Sequence, residues 1–504
     1  MDKSIEFKRL LAKTDLGDGA SIERYAVRLK GMTFRDVLNL DIKPDGYDRK
    51  NYGSTRYKGG MGNLLEERYF GYKSNSDERP DFPDAGVELK ATCYDIRKKD
   101  GRPTAGERLS LTMIPYDRPV TVDFDSSHVW SKCHSILLVY YHRDRSMEKY
   151  DQRITHVKLF TPPEEDLKII REDYRTIVSY IRSGRAHELS EGLTTYLGAA
   201  TKGATAESSL VEQYYPHLEE DGTLVHIKAK KRAFSFKRQY MDYVLHHYLM
   251  GEPDDAESIV STEDLDRSSF TQHVHDLIAS HFGKTDREIA REYDLPYTGN
   301  KAQWTSLVYR MLGIRGNHAK EFKKAGISVR VVRIEENNNI KENLSFAPFE
   351  FSELLAEEWE SSTFRTYLEE TRFFFVVFKK RSGAYHLATC GFWNMPVSDI
   401  EGDARSCWEE TRRVIRRGVR LDIRTRTESN PVITNDLPGM ADNPIAHVRP
   451  HAQKAAYLLS DGTEIGDIQK DASRLPDGRW MTKQSFWFNK KYVLNILKNL
   501  DDAS

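Results

Sequence analysis

The chain is expected to fold as an α/β protein of two similar domains, each a mixed central sheet flanked by helices. Three observations carry this expectation. The 504 residues exceed what one ordinary hydrophobic core organises. Two apolar runs, residues 136–141 and 373–378, have the length of buried strands. Short motifs of the first half recur in the same order in the second.

The recurrence involves four segments. Gly31-Met32-Thr33-Phe34-Arg35-Asp36-Val37 is echoed by Gly283-Lys284-Thr285-Asp286-Arg287-Glu288-Ile289, and residues 81–90 are echoed by 321–330. The run 135–141 corresponds to 372–378, and an aromatic-basic segment at 232–237 returns at 484–490. Residues 251–265 are polar and acidic and read as a linker, which divides the chain into domains 1–250 and 266–504.

Net charge is −1, but its distribution is uneven. Residues 1–250 carry 41 basic against 38 acidic side chains, residues 251–300 carry 4 against 12, and residues 301–504 carry 31 against 27. Catalytic acids can mask a basic cleft in such totals, so overall charge does not argue against a nucleic-acid partner. Cys93, Cys133, Cys390 and Cys407 are scattered without a CxxC pair, which argues against a zinc site or a disulfide framework. No signal segment or membrane-length apolar run is seen, so a soluble bacterial cytoplasmic protein with no membrane partner is expected.

The chemistry concentrates in Pro80-Asp81-Phe82-Pro83-Asp84-Ala85-Gly86-Val87-Glu88-Leu89-Lys90. Alternation makes Val87 to Ala91 a strand with Glu88 and Lys90 on one face. Pro83 to Gly86 is turn chemistry, so a strand, a turn and a strand would bring Asp81 beside Glu88 and Lys90. Two close carboxylates repel unless a cation or a proton intervenes. Oxygen ligands suit Mg2+, which activates water and neutralises a leaving alkoxide, while a lysine balances charge on a phosphate. Asp84 competes with Asp81, but only three residues separate it from Glu88, too few for a turn plus a paired strand. By spacing alone, a solvated strand face fits the pattern as well.

The surroundings add a resemblance. Lys58-Gly59-Gly60-Met61-Gly62-Asn63-Leu64-Leu65-Glu66 precedes the motif and Ser127-His128-Val129-Trp130-Ser131-Lys132 follows it. Together the three elements resemble the family of the mismatch-repair nicking endonuclease MutH and its restriction-enzyme relatives, over about half the chain. The resemblance implies a restriction-endonuclease-like fold in which Asp81, Glu88 and Glu66 hold the metal. Lys90 is then the catalytic lysine and Lys132 a second basic residue at the scissile phosphate. Read without the family, Glu66 is an exposed helix charge, Lys132 a solvated helix residue, His128 a structural or phosphate contact, and Lys58 part of an ordinary loop.

The second copy loses the site. Glu88 is replaced by Ser328, Lys90 by Arg330 and Asp81 by Glu321, while the Glu66 position falls near Val308. This is similar to GATC-specific type II restriction endonucleases in which an active MutH-like domain is joined to a degenerate copy that binds DNA and assists allosterically. From residues alone, such a copy can equally be a DNA-binding module, a dimer-like partner or structural support.

For DNA contacts the family loop leads to Lys202, with Arg449 and His451 at the matching place in the second half. The basic-aromatic stretch around Arg232 and Lys237 reads as a strand or arm meeting phosphates. The implied activity is Mg2+-dependent hydrolysis of double-stranded DNA at GATC, leaving 5′-phosphate ends. A cognate DNA methyltransferase is the functional, not physical, partner, and the protein is a monomer in solution, with a dimer or looped complex on DNA left open. A mismatch-repair nicking enzyme and a non-catalytic DNA-binding regulator are the alternatives.

Overall fold

The computed structural model describes residues 3–502 apart from 45–46, 48–49, 55–58, 75–77, 98, 203–208, 343 and 426–430. Two compact units emerge. The first comprises residues 1–270 together with 318–326, and the second comprises 271–317 and 327–504. The expected linker at 251–265 thus lies within the first unit. There Ser261 and Asp264 form a capping box on the helix Thr262–Arg267. The four cysteines are unpaired and buried, and no helix among the described residues is long and apolar enough to cross a membrane.

The first unit runs through helix α1 (Gly60–Arg68), strands β1 (Glu88–Ile96) and β2 (Leu109–Met113), helix α2 (His128–Cys133) and strands β3 (Ile136–His142) and β4 (Arg153–Phe160). Helix α3 (Glu164–Arg182), strands β5 (Leu197–Thr201) and β6 (Arg232–Phe236) and helix α4 (Arg238–Tyr243) follow. Strand β1 lies parallel to β3, which is antiparallel to β4. A parallel pair needs a crossover, and residues 97–135 supply it. This makes the sheet mixed, as expected. A second sheet has the order β2-β6-β5, with β6 in the middle. Leu64 and Leu65 of α1 pack with Leu89, Leu137 and Val139 of the first sheet in one buried cluster, so the helix that carries Glu66 is clamped directly onto the strands that carry Glu88.

The segment that joins the halves of the second unit is helix α5 (Lys320–Ala325). Beyond it come β7 (Ile327–Ile334), β8 (Ser345–Phe349), helix α6 (Thr363–Glu370), β9 (Arg372–Arg381) and β10 (Ala384–Trp393), then β11 (Ala446–Pro450) and β12 (Gln484–Phe488). Strand β7 is parallel to β9, β9 is antiparallel to β10, and a second sheet runs β8-β12-β11.

The echoes noted in the sequence coincide with shared backbone geometry. Gly31 (φ 87°) donates its amide to Ile154 on β4, and Gly283 (φ 84°) donates to Leu387 on β10. Thr33 with Asp36, and Thr285 with Glu288, form capping boxes just beyond. Glu88 pairs with Ile136 as Ser328 pairs with Phe373. The register shifts between Tyr140 and Tyr141 in one unit and between Val377 and Phe378 in the other. Ser127 and Ser362 cap α2 and α6 with their hydroxyls.

Helix α5 departs from the sequence reading. Glu321 was aligned with Asp81 at a turn before a strand, but it lies inside this helix, buried, accepting from Ser258 Oγ at 2.5 Å and the Ile259 amide at 2.9 Å. Lys-Glu-Phe-Lys-Lys-Ala lacks the prolines of residues 80–83 and favours helix, and Gly326 (φ 65°) closes it in the left-handed region. Lys324, 1% exposed, reaches Asp166, also 1% exposed, at 2.7 Å, with Tyr240 donating to the same carboxylate at 3.0 Å. Removing one partner strands the other charge without water. Lys324→Ala or Asp166→Ala is therefore expected to cost about 3 kcal/mol or more, read as a lowered urea midpoint. A double change to well-packed apolar residues should recover much of that loss.

Candidate active site

Residues 80–90 form the hairpin that the sequence predicts. Phe82 and Val87 pair in an isolated antiparallel bridge, with the Gly86 amide on the Pro83 carbonyl at 3.2 Å. Gly86 has φ 64°, and a Cβ there would meet the His134 ring at 2.9 Å, so both conformation and space demand glycine. The turn brings Asp81 to the start of β1, where it accepts from the Leu89 amide at 2.8 Å. The Asp81 amide points back to Glu88 Oε2 at 3.3 Å. Asp84 is exposed on the outer side of the turn and does not line the cleft.

Glu88 is 3% exposed and doubly paired. Lys90 Nζ lies 2.7 Å from its Oε1, and Lys132 Nζ lies 2.9 Å from its Oε2. Lys132 reaches in from α2, is buried, and also donates to the Arg79 carbonyl at 2.5 Å. The solvated-helix reading of Lys132 is thereby excluded. Glu66 and Glu67 part company on α1. Glu67 is buried with Lys50, Tyr52 and Ser74, whereas Glu66 opens onto the same cleft as Asp81, Glu88, Lys90 and Lys132. The cleft has a volume of about 380 Å³.

The electrostatics identify a cluster short of positive charge. Burial first, then the neighbouring Asp81 and Glu88, push the Glu66 carboxyl up to about 8. Burial, then Glu88, push Asp81 up to about 6, against the pull of the Leu89 amide, Lys90 and Lys132. These acids hold protons that a cation would replace. Their all-oxygen donor set suits a hard divalent ion. Among the described residues no three such side chains close around one point, and a lysine stands on each oxygen of Glu88. The residues therefore fit a cation by charge and donor type.

The other expected DNA contacts divide into two groups. His128 stands at the mouth of the cleft, half-exposed, with Nε2 at 2.9 Å from Glu78. Lys202 follows β5, its ammonium on the Ser110 hydroxyl and its amide on the Lys231 carbonyl at 2.8 Å. His451 follows β11 in the same way, its amide on Lys483 at 2.8 Å and its ring 5.5 Å from Trp487. Arg449 is exposed and lies 4.8 Å over the Trp487 ring. Lys58 falls outside the described residues.

Arg232 and Lys237 are corrections. Their stretch is not a surface arm. Strand β6 is central in its sheet and buried along its whole length, so its cations turn inward. Arg232 is 2% exposed and donates to the Ala199 carbonyl at 2.7 Å, and Lys237 is 1% exposed on the Thr194 carbonyl. Their charge satisfies carbonyls rather than phosphates. Sequence reading also missed Glu78, Arg118 and Tyr174, which line the cleft. Glu78 sits three residues before Asp81, but no motif marks Arg118 or Tyr174.

The family described as DNA mismatch repair enzyme MutH matches residues 70–173, the stretch holding the hairpin, α2 and the paired strands. MutH of Shigella flexneri serotype 5b is 27% identical over 228 residues, covering 45% of this chain and 91% of that protein. MutH of Shewanella woodyi is 29% identical over 153 residues, covering 30% of this chain and 64% of that protein. Fold and site together define a site-specific endonuclease of the MutH-like class. The type II restriction enzyme Sau3AI of Staphylococcus aureus is 34% identical over 470 residues, 86% of this chain and 91% of that enzyme. The chain belongs to the family of that restriction enzyme.

Proposed function

We propose that the protein hydrolyses double-stranded DNA at GATC in a Mg2+-dependent reaction that leaves 5′-phosphate and 3′-hydroxyl ends. The observation that carries this reading is the meeting of Asp81, Glu88, Lys90 and Lys132 in one cleft with Glu66 opposite. Mg2+ bound among these acids would polarise the phosphate and lower the pKa of the attacking water. Asp81 and Glu88 would hold it, with Glu66 as the third acid. Lys90, at the rim of the acid cluster, orients the nucleophilic water. Lys132, fixed by the Arg79 carbonyl, faces the charge that develops on the phosphate. Lys202 sits at a strand end from which it can reach a base edge or a backbone oxygen.

The second unit, in this reading, is a degenerate copy of the first that binds DNA and stimulates cleavage. Support comes from the matching strand order, register and bulge, with Ser328 and Arg330 on β7 where Glu88 and Lys90 stand on β1. Arg330 donates to Tyr367, which follows the Ser362 cap at the spacing by which Lys132 follows Ser127. A serine, an arginine and a tyrosine offer no carboxylate to a cation. The exposed Arg449 and the nearby His451 are the contacts proposed for that unit's DNA. Coverage of both halves by a single restriction enzyme favours this reading over a partner-recruited nicking enzyme.

Digestion of GATC duplexes with magnesium, with both ends mapped, tests the activity. Nicking that depends on an added repair protein would sink it. A plasmid with two sites should be cut several-fold faster than one with a single site, and added site-bearing duplex should rescue the slower substrate. Equal rates with no rescue would remove the effector role.

A further inference from the structure

Three polar side chains lining the catalytic cleft, Glu78, Arg118 and His128, remain outside the chemistry above. Glu78 lies between two donors, with His128 Nε2 at 2.9 Å from its Oε2 and an Arg118 guanidinium nitrogen at 3.3 Å from its Oε1. The side chains of Glu78, His128 and Arg118 are 53%, 53% and 64% exposed, so the cluster stabilises the fold little. All three nevertheless line the cleft that holds Asp81, Glu88, Lys90 and Lys132. His128 precedes Lys132 by four residues on α2, which puts both on one helix face about 6 Å apart along the axis. Glu78 in turn precedes Arg79, whose carbonyl holds Lys132.

An imidazole N–H and a guanidinium aimed at one carboxylate make a site for an oxyanion of one negative charge, which describes a phosphodiester equally well. We propose that Arg118 and His128 form a seat for the backbone phosphate next to the one being cleaved, and that Glu78 fills this seat until DNA displaces it. The inference rests on the nuclease reading of the same cleft and adds Arg118 as a phosphate contact and Glu78 as an internal competitor. Backbone contacts of this kind set position and carry no sequence information, so both effects apply to any duplex. Because Glu78 lies three residues before Asp81, its displacement is felt beside the catalytic hairpin.

Binding of a fluorescent duplex of about 20 base pairs, with and without GATC, is to be measured in EDTA across a salt series. Glu78→Gln is expected to tighten binding by roughly two- to fivefold, the scale of exposed ion pairs. Arg118→Ala should weaken it on both duplexes and reduce the slope of log affinity against log salt by about one, while Arg118→Lys keeps the slope. An unchanged slope in Arg118→Ala, or no gain in Glu78→Gln, overturns the proposal even if the wild type cleaves normally. Slopes that shift as expected in a protein that leaves DNA intact with magnesium would uphold the seat and overturn the nuclease reading.

Discussion

Lys90→Ala protein is expected to cleave GATC duplex at least about a thousandfold more slowly than wild type while still binding it. Asp81→Asn should behave in the same way. Lys90 contacts Glu88 at 2.7 Å and shares the cleft with Asp81, so in the proposed reaction each would act on the attacking water or its neighbours. Groups that operate as one unit are grossly non-additive. The double variant should therefore be little slower than either single one. Single-turnover rates with saturating enzyme check this, with salt-dependent binding as the control for retained structure. A Lys90→Ala enzyme within tenfold of wild type would remove this lysine from the mechanism, and multiplying losses in the double variant would show that the residues act separately.

The second large effect concerns stability. Glu66 and Asp81 hold their protons up to about 8 and about 6 in the folded protein, against ordinary values of 4.5 and 3.8. The folded state therefore binds more protons than the unfolded chain between about pH 4 and 8. Where the native state holds more protons, stability falls as pH rises. The metal-free protein should thus lose stability through this window, by on the order of 8 kcal/mol for the two groups together at 1.36 kcal/mol per unit. Glu66→Gln should flatten the decline and raise the metal-free melting temperature at pH 8, at the expense of cleavage. Magnesium should stabilise more at pH 8 than at pH 6, because it competes with the same protons. Thermal melts at both pH values, with EDTA or with magnesium, measure all three effects. A metal-free melting temperature that rises from pH 5 to 8 would refute the cluster's electrostatics.

The hairpin was legible because its chemistry is local. Proline, aspartate and glycine at Pro83, Asp84 and Gly86 fix a turn whatever surrounds it, and alternation places Glu88 beside Lys90. The apolar runs of β3 and β9 were visible for the same reason. The basic-aromatic stretch misled because period and composition do not say whether a strand lies at an edge or in the middle of a sheet. Strand β6 lies between β2 and β5, and the carbonyls that Arg232 and Lys237 reach, of Ala199 and Thr194, come from distant sequence. Glu321 misled because matching apolar positions concealed a change from turn to helix.

By itself, the order of residues determined the α/β character and the acid and lysine pair of the hairpin through local interactions, and it displayed the echo between the two halves. Tertiary structure alone decided that Glu66 turns into the cleft while Glu67 turns away, that Lys132 spans 44 residues to reach Glu88, and that helix α5 belongs with the first unit. Those outcomes depend on which surfaces the core brings together, and burial acts on distance in space, not on separation along the chain.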